Sequence, residues 1–86
     1  MTRYRVEVAR RALKAIAILP RKEQQRIRAI IELLADNPRP PGCIAMLGEP
    51  NAYRVRSGDS RVVYEVFDDR LLVQVVRAGH RREIYR

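Results

Sequence analysis

Gly58 and Asp59 separate two runs, "AYRVRS" (52 to 57) and "SRVVYEVF" (60 to 67), in which apolar residues recur at alternate positions. Alternation is the period of a strand with one buried face, and a glycine-first pair between two such runs is a two-residue hairpin turn. The turn fixes the register: Ser57 faces Ser60, Arg56 faces Arg61, Val55 faces Val62, Arg54 faces Val63 and Tyr53 faces Tyr64. One face of the hairpin then holds Tyr53, Val55, Val62, Tyr64 and Val66, and belongs in a core. The other gathers Arg54, Arg56 and Arg61 within about 5–8 Å of one another, the reach of cross-strand and diagonal neighbours. Like charges set opposite one another repel, and Glu65 is the only acid in the central register of that face. The patch is therefore expected to meet an anion from outside the chain, and arginine suits phosphate because its planar fork donates bidentately and keeps its charge.

The rest of the chain supplies what the apolar face needs. "RYRVEV" (3 to 8) alternates as a strand with Tyr4, Val6 and Val8 on one side. "ARRALKAIAIL" changes to helical spacing, with Ala12, Leu13, Ile16 and Leu19 near one stripe. Pro20 ends this helix and opens a second, "RKEQQRIRAIIELLAD", which buries Ile27, Ile30, Ile31 and Leu34 and stops at Asn37-Pro38. Residues 38 to 51 hold four prolines and two glycines and read as an ordered connection, with "CIAML" tucked against the core. A last strand over 71 to 78, "LLVQVVRA", pairs back through a two-residue turn at Asp68-Asp69. That turn sets Val66 against Leu71, Tyr64 against Val73 and Val62 against Val75. The expected class is α+β: an N-terminal strand, a helical hairpin, then a C-terminal antiparallel meander packed on the helices. At 86 residues the chain buries one core, so residues 1–86 are read as a single domain.

Charge narrows the partners. Eighteen Lys and Arg against ten Asp and Glu give a net charge of +8, which attracts nucleic acid, a membrane surface or an acidic binding protein. There is no apolar run of membrane-span or signal-peptide length, so a cytoplasmic protein with no membrane partner is expected. Cys43 has no second cysteine to pair with, and with His80 alone it builds no protein-only metal cage. Carboxylates around Mg²⁺ are the one metal chemistry left open, and no metal or cofactor is expected. At the C-terminus, "GHRREIYR" places Arg81, Arg82 and Arg86 around Tyr85 after a strand-ending Gly79. This interleaving suits single-stranded RNA, where a ring stacks a base and guanidinium groups hold the backbone.

With "RVRSGDSRVVYEV" followed by "GHRREIY", and the order strand, helical hairpin, Pro/Gly connection and sheet, the chain resembles the RelE/ParE toxin superfamily, in particular its RelE branch, over nearly its whole length. The resemblance implies a RelE-like toxin of a type II toxin-antitoxin system, held inactive by a cognate antitoxin and reaching operator DNA only through it. It also implies metal-independent cleavage of mRNA in the ribosomal A site, with the RNA 2′-hydroxyl as nucleophile. By motif, Arg61 and Arg81 match the family's active-site arginines, Arg54 and Arg56 stand where many members carry lysine, and Tyr85 matches a base-stacking tyrosine. Arg82 and Arg86 add RNA-binding charge. The family's lysine base is absent, and arginine holds its proton too firmly to replace it. His80, whose ordinary pKa lies near neutrality, is the candidate acid or base, with Asp59, Glu65 and Glu83 as carboxylate alternatives. Ser60 stands where an aromatic residue often precedes the hairpin arginine. Two other functions fit the same scaffold: a ParE-like inhibitor of DNA gyrase, and a catalytically weak RNA-binding relative.

Overall fold

The computed structural model describes residues 3–80. Its elements run β1 (Arg5–Val8), α1 (Arg10–Ala17), α2 (Arg21–Asp36), β2 (Ile44–Ala45), β3 (Ala52–Ser57), β4 (Ser60–Phe67) and β5 (Leu72–His80). The strands form one sheet in the order β1-β5-β4-β3-β2. β1 lies parallel to β5, and every other neighbouring pair is antiparallel. The architecture is the expected α+β arrangement. Both helices cover one face of the sheet, where Ala12, Leu19, Ile27, Ile30 and Leu34 meet Val55, Val62, Tyr64, Val66, Val73, Val75 and Ala78.

The β3-β4 hairpin has the register read from its turn, from Ser57 opposite Ser60 to Ala52 opposite Glu65. The β4-β5 hairpin differs. Its connection is a single 3₁₀ turn over Asp68–Arg70 closed by Leu71 in the left-handed region (φ 49°), so two more residues enter the turn and Val66 faces Val73 instead of Leu71. A shift of two keeps every side chain on its expected face. Further along, the register changes again between Val63 and Tyr64: Tyr64 faces Val75 while Val63 faces Arg77, leaving Val76 as a bulged extra residue. Val62 therefore faces Ala78, where Val75 was expected, and Arg61 faces Gly79.

The wider turn is explained by what holds Asp68. Arg39, on the connection after α2, donates from both terminal nitrogens to the Asp68 carboxylate (3.1 and 2.7 Å), and its Nε donates to Tyr53 Oη (3.0 Å). The Tyr4 hydroxyl donates to the same carboxylate at 2.6 Å. These bonds hold the Asp68 carboxyl at about 2, below its ordinary 3.8, the Arg39 bonds foremost and the Tyr4 bond next. The bond to Asp68 in turn raises the pKa of Tyr4. Beneath this network the Tyr53 and Tyr64 rings stack at 5.9 Å, and Tyr64 Oη donates to the Pro38 carbonyl at 2.8 Å inside the core. Burial pushes the Tyr64 phenol up, so it keeps its proton there.

Three local expectations change. Pro20 precedes α2 as its N-cap residue, outside the first turn and without a capping side chain, and Gln24 reaches back from α2 so that its Nε2 donates to the Ala17 and Leu19 carbonyls at the end of α1, at 3.1 Å each. Leu13 is 54% exposed, because α1 meets the sheet through Ala9, Ala12 and Ile16 and leaves Leu13 on the flank of that stripe. In "CIAML" only Cys43 packs partly against the core. Ile44 and Ala45 instead add an edge strand to β3, and Leu47 is fully exposed.

Two outcomes are expected. A carboxyl with a depressed folded pKa contributes stability above its unfolded pKa and loses it as pH falls through the folded value. The stability gap between wild type and Asp68→Asn should therefore shrink between about pH 4 and pH 2, read from thermal melts across that range. Tyr64→Phe removes a buried hydrogen bond and strands the Pro38 carbonyl, so its urea midpoint should fall by the equivalent of about 1–2 kcal/mol.

Candidate functional site

On the sheet face turned away from the helices, cross-strand pairing sets side chains in rows. Arg56, Arg61 and Gly79 form one row, and Arg54, Val63 and Arg77 form the next. Arg54 also faces Ile44 across the β2 edge. The structure thus brings Arg54, Arg56 and Arg61 together, and they line a hollow of about 160 Å³ with Gly42 and Ile44. Arg61 is the deepest of the three at 5% exposure. It sits on the central strand with β3 on one side and β5 on the other, and Gly79 across from it contributes no side chain. Arg54 is half-buried and Arg56 exposed, so the hollow runs from a sunken cation to a solvent-facing one.

The turn that sets this geometry is fastened to α2. The Ser60 hydroxyl, fully buried, donates to Glu23 Oε2 at 3.0 Å, and Arg26 Nη1 lies 3.9 Å from the same oxygen. The Arg26 guanidinium also packs on Gly58, where a Cβ would overlap Nη1 and where φ is +60°. Ser60 therefore anchors the strand one residue before Arg61, a position where an aromatic ring would displace the Glu23 carboxylate.

The other candidates are less concentrated. Asp59 is exposed in the turn, and Glu65 pairs with Ala52 and Gln74. Glu65 stands four residues along β4 from Arg61, about 13 Å, and neither carboxylate is among the residues lining the arginine hollow. The backbone of His80 pairs with Ser60 at the end of β5. The side chain of His80, and Arg81, Arg82, Glu83, Tyr85 and Arg86 entirely, lie outside the described residues. Among the described residues, no three His, Cys, Asp or Glu side chains come together to hold a metal ion, and no helix is long and apolar enough to cross a membrane.

Sequence reasoning missed Arg11 and Arg77, which line a second hollow on the same face, of about 290 Å³, together with Arg54. Arg77 lay inside the expected last strand. Its place across from Val63 depends on the wider turn and the bulge.

This helix-covered sheet has known counterparts. The family described as the ParE toxin of the type II toxin-antitoxin system parDE matches residues 6–85, and the chain belongs to that family, within the RelE/ParE superfamily. A protein named toxin RelE1 in Methanocaldococcus jannaschii is 35% identical over 94% of this chain and 92% of its own. The fold matches the archaeal RelE-RelB complex of Pyrococcus horikoshii at a TM-score of 0.81, with 29% identity, over 94% of this chain and 97% of that one. It matches the isolated RelE toxin of Escherichia coli at 0.78, with 26% identity, over 95% and 90%.

Gly58→Ala tests how the turn is held. Both the left-handed backbone and the packed Arg26 oppose a Cβ, so the substitution should destabilise by roughly 1 kcal/mol or more in urea unfolding.

Proposed function

We propose that the chain is the RNA-cleaving toxin of a type II toxin-antitoxin pair: a ribosome-dependent, metal-independent endoribonuclease that cuts mRNA in the A site and is held inactive by a cognate antitoxin in the cytoplasm. The observation that carries this reading is the convergence of Arg54, Arg56 and Arg61 on one hollow, with Arg61 sunk at its base. The relatives with solved structures include toxins bound to their antitoxins, which supports an antitoxin partner here.

The chemistry follows from the groups present. The 2′-hydroxyl oxygen attacks the adjacent phosphorus in line, forming the P–O2′ bond while the P–O5′ bond breaks. The 2′ proton goes to a base and the leaving O5′ takes a proton. The products are a 2′,3′-cyclic phosphate and a 5′-hydroxyl, with no water consumed and no electron transferred. Negative charge gathers on the non-bridging oxygens in the transition state, and fixed cations facing it lower the barrier without reorganising. Arg61 takes that role. Arg54 and Arg56 hold flanking phosphate oxygens and keep the attack in line. Arg81 serves the leaving oxygen, Tyr85 stacks a base, and Arg82 and Arg86 hold the backbone. Since arginine does not give up its proton, the acceptor falls to His80 or to a carboxylate, Asp59 or Glu83, with Glu65 set about 13 Å along β4 from Arg61.

A second reading is inhibition of DNA gyrase, favoured by the ParE name of the matching family. Primer extension on an mRNA under translation in a reconstituted bacterial system separates the two. Wild type should give ribosome-dependent cuts, and Arg61→Ala should cut about 10²-fold more slowly or worse, with its circular dichroism melt unchanged and growth arrest relieved. Intact mRNA beside an induced DNA-damage response would favour gyrase. Full toxicity of folded Arg61→Ala and Arg81→Ala would remove both residues from the site.

A further inference from the structure

We infer that the second hollow on the far face is a nucleotide subsite, which takes the RNA residue next to the one whose phosphate lies at Arg61. The inference rests on the RNA-cleaving reading and extends it to residues that no motif points to.

The hollow holds about 290 Å³ and is rimmed by Arg11, Arg54 and Arg77. One acid, Glu49, stands among the three cations, so the excess charge is positive and the occupant is an anion. Arg54 lines this hollow and the smaller one alike, which makes them neighbouring stations of one track. Along β4, the row holding Val63 lies two residues from the row holding Arg61, about 7 Å, which is the length of one extended nucleotide repeat. Across the sheet, Arg54 and Arg77 flank Val63 from β3 and β5, two strand spacings or about 10 Å apart at the backbone. That gap admits a nucleotide between the two guanidinium groups.

The floor is apolar. Val63 is 6% exposed, and Val76 and Met46 are half-buried beside it. Aliphatic and thioether surface of this kind packs against one flat face of a base, while arginines take its phosphate or stack on its other face. Glu49 repels phosphate and accepts N–H groups, so the base lies at that end and the phosphate at the arginine end. The bulge builds the remaining wall. The Val76 carbonyl receives the Arg11 Nε at 3.4 Å, a long bond that draws the head of Arg11 from α1 to the middle of β5. Without the extra residue at Val76, Arg77 would point to the opposite face of the sheet.

The test uses the full chain and 2′-O-methyl RNA, which keeps the phosphates and bases but has no nucleophile. Fluorescence anisotropy with labelled dinucleotides and trinucleotides should give wild type at least tenfold tighter binding to the trinucleotide. Arg11→Ala/Arg77→Ala should erase that advantage and leave dinucleotide affinity within about twofold. Its salt slope for the trinucleotide should flatten by about 0.7, the share of one phosphate on a single strand. Both side chains are exposed, so the fold should hold, and Arg77→Gln with Arg11 intact should lose part of the advantage. In translated mRNA the double variant should need more substrate for half-maximal cutting while retaining the saturated rate. An unchanged trinucleotide advantage in the double variant, with wild type still cutting mRNA, would overturn the subsite alone. Absence of both oligonucleotide binding and mRNA cleavage in wild type would overturn the subsite together with the RNA-cleaving reading.

Discussion

Which way each side chain of β4 points is decided by the two-residue turn at Gly58-Asp59, and the remainder of the structure is arranged around that decision. Val62, Tyr64 and Val66 go toward the helices and are essentially out of solvent. Arg61 and Val63 go the other way. A slip of one residue would exchange the faces, sending Arg61 into the core and Tyr64 into water. Full burial of each large apolar side chain stabilises by about 1.5–3 kcal/mol, whereas like charges facing across strands cost some tenths of a kcal/mol up to ~1. The apolar face therefore wins comfortably, and the arginines are held together as a consequence of the core. A cationic site made this way is preorganised: its geometry is fixed by packing on the opposite side of the same strand.

Contacts distant in sequence keep the hairpin in place at both ends. At the Gly58 end, Glu23 and Arg26 of α2 hold Ser60 and cover the turn. At the other, Arg39 and Tyr4 meet on Asp68, 29 and 64 residues away from it. The Arg39-Asp68 pair is surface-exposed, and its Coulomb attraction alone is worth little there. Its value lies in the bidentate geometry, which ties the connection after α2 to the β4-β5 turn and sets the length of that turn.

The first hairpin was legible in the sequence because a glycine-first two-residue turn leaves the register no freedom, and the arginine cluster followed from it. The helices were legible for the same reason of period, although Leu13 went astray because an alanine-faced helix can rotate toward its smaller residues. The second hairpin was not legible beyond its parity. Asp68-Asp69 reads as a two-residue turn until Arg39 and Tyr4 are seen to capture Asp68, and that is a tertiary event. The bulge at Val76 is hidden because "VQVV" alternates equally well in either register. Val62 was set against Val75 and not Ala78 in part for that reason, and the larger hollow could not be foreseen. The motif at Arg81 and Tyr85 lies beyond the described residues, so its convergence with Arg61 stays an expectation.

Family membership establishes a toxin scaffold, and the sheet supplies cations without an accompanying cluster of metal ligands among the described residues. The proposal that these cations catalyse attack by the substrate's own 2′-hydroxyl has a chemical signature independent of rate. End-group analysis of mRNA fragments cut by the wild-type protein on translating ribosomes reads it directly. A 2′,3′-cyclic phosphate on the upstream fragment and a 5′-hydroxyl on the downstream one are the expected result. A 3′-hydroxyl with a 5′-phosphate, the products of attack by water, would contradict it.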